Sequence, residues 1–348
     1  MDVIRSIYSL QKKTKAHSLA MVFPDSSEIY YYSLARWALF SFLQKVGIKD
    51  FTVLVPEFIC RDILGAIHLA GGSVLFYPVN ECLSSLWSVQ EMPKADFILG
   101  VNFFGFSCDV NFFKEYAKLN NSIFIEDNAH GFLGQDADGN YFGMRGDVGI
   151  FSFRKTFAIP GGGGLWVKRG AFNGVLFDRL ESNKKNHLLL SPKHNLKLLT
   201  PFLPKTVWSK ATIYFRKLRK LFKGQEIPLG DPASENTISG QAEYSFATVL
   251  MLDAYDFCAE VERRRKLYNY VDDLMKNIGF HSIWQELPAG CSPYGYAFRA
   301  KDEEYEQIQK TLFAYGLETI TWPDLPSALD LKACPPHYRE IRIVRFLW

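Results

Sequence analysis

The stretch IFIEDNAHG (123–131), followed by GIFSFRKTFAIPGGGGLWV (149–167), decides how this chain folds. An unbroken apolar run ending in Asp127 reads as a strand buried on both faces. It delivers a carboxylate to the carboxyl edge of a sheet, where ligands bind in open α/β folds. A second run brings Ser152 to the same edge, with Lys155 three residues into the turn that follows. Gly161 to Gly164 then lead into another strand. Neighbouring strands would bring Asp127 and Lys155, distant in sequence, to one rim.

Outward from this cluster, the first half alternates helix-like and strand-like segments. ARWALFSFLQKVG (35–47) precedes TVLVP (52–56), and CRDILGAIHLAG (60–71) precedes SVLFYPV (73–79). FILGVNF (97–103), DVNFFKEYAKL (109–119) and SIFIED (122–127) continue the pattern, and DVGIFSF (147–153) and GLWVK (164–168) complete it. Strand–helix–strand repetition implies right-handed crossovers and a mostly parallel sheet with helices on both faces. After Pro232 the pattern changes. Apolar residues fall at helical spacing over 238–279, which predicts one long or broken helix closed by Gly279. A strand (295–300), a helix (303–316) and a strand (317–322) follow. The expectation is a large α/β domain over 1–235 and a smaller α+β domain over 236–348.

The 348 residues are 48% hydrophobic and 22% charged, which excludes a disordered, collagen-like or purely coiled-coil chain. A net charge of +3 gives no sign of a nucleic-acid partner. No apolar run approaches the roughly 18 residues of a membrane span, and the N-terminus lacks the apolar region of a secretory leader. The six cysteines form no C-x-x-C pair and have no histidine at zinc-ligand spacing. They read as reduced thiols of a cytoplasmic protein that holds no metal, five of them as small buried hydrophobes. The segment 182–224 carries 11 Lys and Arg and no acidic residue. Its part 205–223 suits a weak membrane-surface contact or a phosphate-facing lid. The same pattern equally fits a basic helix packed on its own domain or on a subunit partner.

A carboxylate and an amine at one rim suit pyridoxal phosphate. The amine condenses with the aldehyde, and the carboxylate keeps the pyridine nitrogen protonated so that the ring withdraws electrons. Each residue alone reads as readily as a surface lysine, a capping aspartate and a flexible linker. A linker, however, would not stand between Pro160 and the apolar LWV.

In order along the chain stand E-D-x-A-H-G (126–131), G-D-x-G-x-F-S-F (146–153), a lysine and a glycine-rich return. ARWAL (35–39), VLVPEFIC (53–60), NFFG (102–105), ISGQA (238–242) with RRR (263–265), and GLETITWPDLP (316–326) accompany them. With these motifs the chain resembles the DegT/StrS-type sugar aminotransferases, pyridoxal phosphate enzymes of fold type I. The resemblance implies that Lys155 holds the cofactor and shuttles protons. It implies that Asp127 faces the pyridinium, that His130 contacts the ring oxygen and that Ser152 binds the phosphate. The Ala35-Arg36 backbone stands where the family has a Gly-Thr helix start, which suits a phosphate. Cys60 stands where a side chain packs over the ring. Asn236 matches an asparagine donated by the neighbouring subunit, which makes a homodimer with shared sites the expected assembly. Two departures stand out. The family's S-F-x-x-x-K is here Ser152-Phe153-Arg154-Lys155, two residues shorter, and its G-E-G-G has no glutamate here.

The implied reaction moves an amino group, from glutamate by family analogy, to a keto sugar linked to a nucleotide. A dehydratase is disfavoured, because related dehydratases replace the lysine with histidine. A catalytically silent member with a binding or regulatory role, or a non-sugar keto substrate, stays open at this point.

Overall fold

A computed structural model describes residues 19–23, 28–157, 159, 161–177, 232–245, 248, 252, 255–322 and 324–346. Seven strands form the main sheet: β1 (Glu28–Tyr32), β2 (Thr52–Pro56), β3 (Ser73–Tyr77), β4 (Phe97–Val101), β5 (Ile123–Asn128), β6 (Val148–Ser152) and β7 (Gly163–Val167). Their order is β1-β7-β6-β5-β4-β2-β3. Only β7 runs against its neighbours, so β1 to β6 all point their carboxyl ends at one edge. The helices α1 (Ala35–Lys45), α2 (Arg61–Leu69) and α3 (Val110–Asn120) connect them. Asp109 caps α3 by accepting a hydrogen bond from the Phe112 N–H, as its place before the helix predicts.

The apolar runs are explained by burial on two faces. Val148 and Ile150 of β6, with Leu165 and Val167 of β7, join the core built on α1, where Ala38, Leu39 and Phe42 are fully buried. The intervening Phe151 and Trp166 point the other way, into a cluster with Phe132, Phe153 and Phe257. Alternation along each strand thus fills both sides of the sheet.

After the long helix α4 (Phe257–Asn277) come β8 (Gly295–Arg299), α5 (Asp302–Ala314), β9 (Glu318–Thr321) and β10 (Ile341–Arg345). The three strands form an antiparallel sheet in the order β8-β10-β9. One face (Ala297, Ile320, Ile343) adds to the main core. The other (Tyr296, Phe298, Val344) packs on Leu267, Val271 and Met275 of α4 and on Ile308 and Leu312 of α5.

Several expectations are corrected. Residues 238–245 are not helical, but 248 and 252 are, and after a break at 255–256 the helix α4 runs from Phe257, so the expected helix is the broken one and begins later than 238. Gly240 takes φ +82°, outside the helical region, and the Asp256 side chain sets the start of α4 by accepting from the Ala259 N–H. Gly279, at φ +82°, closes the helix as expected. The edge strand β1 and the central strand β10 had no place in the sequence reading. None of the six cysteines is in a disulfide, but only Cys291 is fully buried, while Cys82 and Cys258 are exposed. The basic segment 182–224, with its membrane-surface stretch 205–223, lies outside the described residues. Among the described residues no helix is long and apolar enough to cross a membrane.

The glycine return has a packing role. Residues 33–34 hang on it through the Gly162 N–H, which donates to the Ser33 carbonyl at 2.7 Å. A Cβ on Gly163 would lie 2.2 Å from the Leu34 carbonyl carbon and 2.5 Å from the Ala35 nitrogen. Only glycine lets β7 press against the start of α1. Gly163→Ala is therefore expected to cost about 1–3 kcal/mol, the usual range for overpacking. Denaturant unfolding of the variant measures it, and unchanged stability would show that the α1 start is free to move.

Candidate active site

Asp127 is the next-to-last residue of β5, paired with Val101 of β4 and Ile150 of β6. Its neighbours Glu126 and Asn128 face the opposite side of the sheet, as strand alternation requires. There Glu126, wholly buried, accepts hydrogen bonds from Asn102 Nδ2 (2.9 Å), Arg145 Nε (3.0 Å) and the Arg145 backbone N–H (2.9 Å). Asn128 accepts from Asn102 Nδ2 and donates to the Phe142 carbonyl. This buried network locks the strand end, so that Asp127 alone turns to the ligand side. Burial raises the Asp127 carboxyl above its ordinary range, while Lys155 and the Ala129 N–H, 2.9 Å from Oδ1, oppose the rise.

His130 lies flat between two rings. Phe104 stacks on one face at 5.6 Å and 5°, and Tyr294 on the other at 4.7 Å and 10°. Trp322, just beyond β9, closes one edge at 5.2 Å. Phe104 sits at φ +52°, a left-handed conformation uncommon for an aromatic residue. That conformation accompanies a hydrogen bond from its N–H to His130 Nδ1 at 3.3 Å. An amide can only donate, so Nδ1 is the unprotonated nitrogen and Nε2 carries the hydrogen. Nε2 lies 3.0 Å from Lys155 Nζ, so in this tautomer the Nε2–H points its donor at the amine, which accepts it in its unprotonated form.

The electrostatics agree with this tautomer. Burial pushes the Lys155 ammonium below its ordinary value of 10.5, against the opposing pull of Cys60 and Asp127. Burial, and next the Lys155 charge, hold His130 well below the usual histidine range. Both shifts run toward the neutral forms. The Lys155 Nζ also lies 5.6 Å from the Trp322 ring centre.

A short helical turn, Phe153–Thr156, carries Lys155 directly off the end of β6. Arg264 of α4 holds it from below. Its Nη2 donates to the Thr156 carbonyl at 2.8 Å and reaches the Lys155 carbonyl at 3.4 Å, while Nη1 bonds the Pro293 carbonyl. Glu260 anchors Arg264 Nε at 2.7 Å and also binds Arg263. Burial alone would raise the Glu260 carboxyl, but the two arginines hold it low.

One cavity, of about 690 Å³ counting the space open at its mouth, takes in Asp127, His130, Ser152 and Lys155. Ala35, Arg36 and Cys60 line it too, with Phe58, Phe103, Arg154 and Trp322. Cys60 precedes the first residue of α2, and burial raises its thiol pKa. Of the residues singled out in the sequence, only Asn236 lies elsewhere. It is exposed, at the end of a turn (Pro232–Glu235) that Glu235 ties to Ser327 and, at 3.4 Å, to Arg61. The ring sandwich of His130, the Trp322 wall and the Arg264 clamp were not predicted. Their only sequence signals were NFFG, the W of TITWP and the RRR run. Among the described residues no group of three metal-ligating side chains is placed to hold an ion.

Comparison with solved structures places this architecture. A DegT DnrJ EryC1 StrS aminotransferase from Brucella abortus matches with TM-score 0.59 at 16% identity, over 94% of this chain and 82% of the other. DesI, solved in the presence of its TDP-sugar product, matches with TM-score 0.61 at 16% identity, over 99% of this chain and 80% of the other. The fold is that of the fold-type I, pyridoxal phosphate-dependent aminotransferases. Sequence narrows the class: residues 37–171 match the DegT/DnrJ/EryC1/StrS aminotransferase family, the family that the motifs from Asp127 to the glycine return resemble. A stretch of 151 residues is 32% identical to the GDP-perosamine synthase of Escherichia coli O157:H7. That match takes in 41% of this chain and 40% of the relative, so the chain spans about two fifths of the curated relative's length.

A buried amine of lowered pKa has a cost for the fold. The unfolded chain binds a proton on Lys155 up to its ordinary value, and the folded chain releases it at lower pH. Stability therefore rises with pH across the window between the lowered value and 10.5. In the ligand-free chain Lys155→Met should be more stable than the parent at pH 7, by about 0.5–2 kcal/mol. The gap should close as pH approaches 10.5. Urea titrations at several pH values check this, and a gap independent of pH would contradict a displaced lysine.

Proposed function

We propose that this chain is a pyridoxal phosphate-dependent aminotransferase that moves an amino group, from a donor such as glutamate, to a keto sugar carried on a nucleotide. The observation that carries the reading is the Lys155 amine, of lowered pKa and 3.0 Å from His130, inside the cavity that Asp127 also lines. Lowering the pKa enlarges the free-base fraction, the form in which a lysine is a nucleophile. The relative's assigned name, GDP-perosamine synthase, supports an amino sugar on a nucleoside diphosphate as the product class.

The cavity fits the cofactor by its chemistry. Ser152 is 97% buried, from a 3% relative exposure, and its hydroxyl has no hydrogen-bond partner among the described residues. It flanks the start of α1, where no side chain caps the free N–H groups. Ser152 and the N–H groups of Ala35 and Arg36 would hold the phosphate. Asp127 would face the pyridine nitrogen, and His130 the ring oxygen. Cys60 and Phe58 would border the ring. When bound, the cofactor supplies an electron-withdrawing ring that stabilises negative charge on the carbon next to the amino group.

The protein's own part is to hold and move protons. Lys155 Nζ would accept the proton that leaves the donor's α-carbon and would give it back when the keto substrate is aminated, which requires an amine with a free-base population. The His130 Nε2–H, fixed by the Phe104 amide, orients Lys155 when the amine is free. Asp127, buried and lining the same cavity, would complement a protonated pyridine. Trp322 and Tyr294 exclude water from the amine's side of the cavity. In a homodimer, Asn236 on its exposed turn would reach the phosphate of the partner's cavity.

Borohydride reduction after incubation with pyridoxal phosphate should attach the cofactor to the Lys155 peptide, read by mass spectrometry. Lys155→Ala should abolish the attachment. Glutamate added before reduction should prevent it, with release of one equivalent of 2-oxoglutarate. A wild-type chain that leaves Lys155 unmodified overturns the reading. Attachment without any oxoacid from a panel of amino donors would identify a silent, binding member of the fold.

A further inference from the structure

Two guanidinium groups face the same cavity and have no part in the proton chemistry. Arg36 is the second residue of α1, and Arg154 stands between Ser152 and Lys155. Arg36 Nη1 meets one carboxylate, Asp62 Oδ1 at 2.8 Å, which is itself 40% exposed. Arg154 has no ion pair or hydrogen bond among the described residues, although it lines the cavity. Its side chain is exposed at the cavity. Desolvation, and then the Arg36 charge, lower its pKa, with smaller opposing effects from Tyr294, Asp62 and Cys60. Two cations on one cavity, one of them without an ion pair among the described residues, repel each other, and an anion between them would relieve this.

The surroundings favour an anion with several acceptor oxygens. The Trp37 and Ala38 N–H groups turn back to the Leu34 carbonyl, which leaves those of Ala35 and Arg36 free at the head of α1. No acidic residue occupies that first turn. Ser152 pairs in the sheet with Gly163, which touches Leu34 and Ala35, so the buried, unpartnered hydroxyl lies beside the helix start.

We propose that Arg36 and Arg154 together bind a phosphate dianion against the head of α1 and Ser152. A serine and a helix start belong to the phosphate cradle that the family resemblance implies. The two arginines are additional, and both stand where this chain departs from the family pattern. Arg36 takes the place of the threonine in the Gly-Thr start, and Arg154 lies in the shortened lysine turn. The phosphate is the cofactor's own if the proposed function holds. The diphosphate of a nucleotide-linked substrate offers the same chemistry.

Binding to the purified full-length chain, measured by calorimetry with four probes, tests this. The probes are inorganic phosphate, pyridoxal phosphate, pyridoxal and uridine diphosphate. Arg154→Gln and Arg36→Gln should each weaken inorganic phosphate roughly 10–100-fold, the effect of losing a charge-assisted bond to an oxyanion. Arg154→Lys should recover part of the loss, and circular dichroism melting reports whether each variant is folded. If pyridoxal phosphate weakens in parallel while pyridoxal does not, the pair holds the cofactor phosphate. If uridine diphosphate weakens and pyridoxal phosphate does not, the pair holds the substrate. Folded variants that bind all three phosphate probes as the parent does overturn the inference. Phosphate binding that depends on the arginines in a chain whose Lys155 never takes up the aldehyde would leave this inference standing and remove the proposed function.

Discussion

The hydrogen bond between His130 Nε2 and Lys155 Nζ is the contact around which the site is organised. It is one-directional, because the Phe104 amide occupies the other imidazole nitrogen. The imidazole cannot accept from Lys155 without losing a bond that the backbone supplies. An ammonium there would face an N–H with another N–H, a repulsive arrangement in a buried place. The backbone of residue 104 thereby favours the unprotonated form of a side chain some fifty residues away. Its left-handed conformation is a local cost, of the kind that functional sites retain when the surroundings enforce it. Here the surroundings are the stacked rings of His130 and Tyr294 and the bond from the Tyr294 N–H to the Phe104 carbonyl at 2.8 Å.

Rigidity reaches the cavity from two sides. Behind the sheet, the Glu126–Arg145–Asn102 network fixes the end of β5 and leaves Asp127 no alternative orientation. From the small sheet's side, α4 sends Arg264 into the carbonyls of the lysine turn, with Glu260 as its buried counter-charge. Burying such ions is expensive unless each is fully bonded, and these are. The long helix therefore acts as a strut between the helical packing of the carboxyl-terminal sheet and the reactive amine. Trp322 extends the same coupling, since it leaves β9 to form one wall of the cavity.

Much of this was legible in the residues because it follows from periodicity and from strand ends. Apolar runs buried on both faces predicted the mostly parallel sheet. Its topology then brought Asp127, Ser152 and Lys155 to one edge, as the carboxylate-then-lysine order implied. What escaped depended on contacts that no spacing encodes. The aromatic sandwich of His130 draws on residues 104, 130 and 294, which only the tertiary fold assembles. Arg264 was visible as one of three arginines, with nothing to say which of them turns inward. The strand β10 carries IRIVR, a short alternating run between a proline-rich turn and the end of the sequence. Only the start of the helix expected from 238 was misplaced, because helical spacing of apolar residues was read through Gly240, whose backbone is left-handed. The exposed Cys82 and Cys258 show the limit of inferring burial from residue type alone.

A crystal structure of the chain grown with pyridoxal phosphate is the most direct test of the site as a whole. It should show density continuous from Lys155 Nζ into the ring, the pyridine nitrogen facing the Asp127 carboxylate, and the phosphate at Ser152 and the head of α1. A ring bound elsewhere, or a Lys155 amine that stays on His130 while the cofactor lies outside the cavity, would contradict the account.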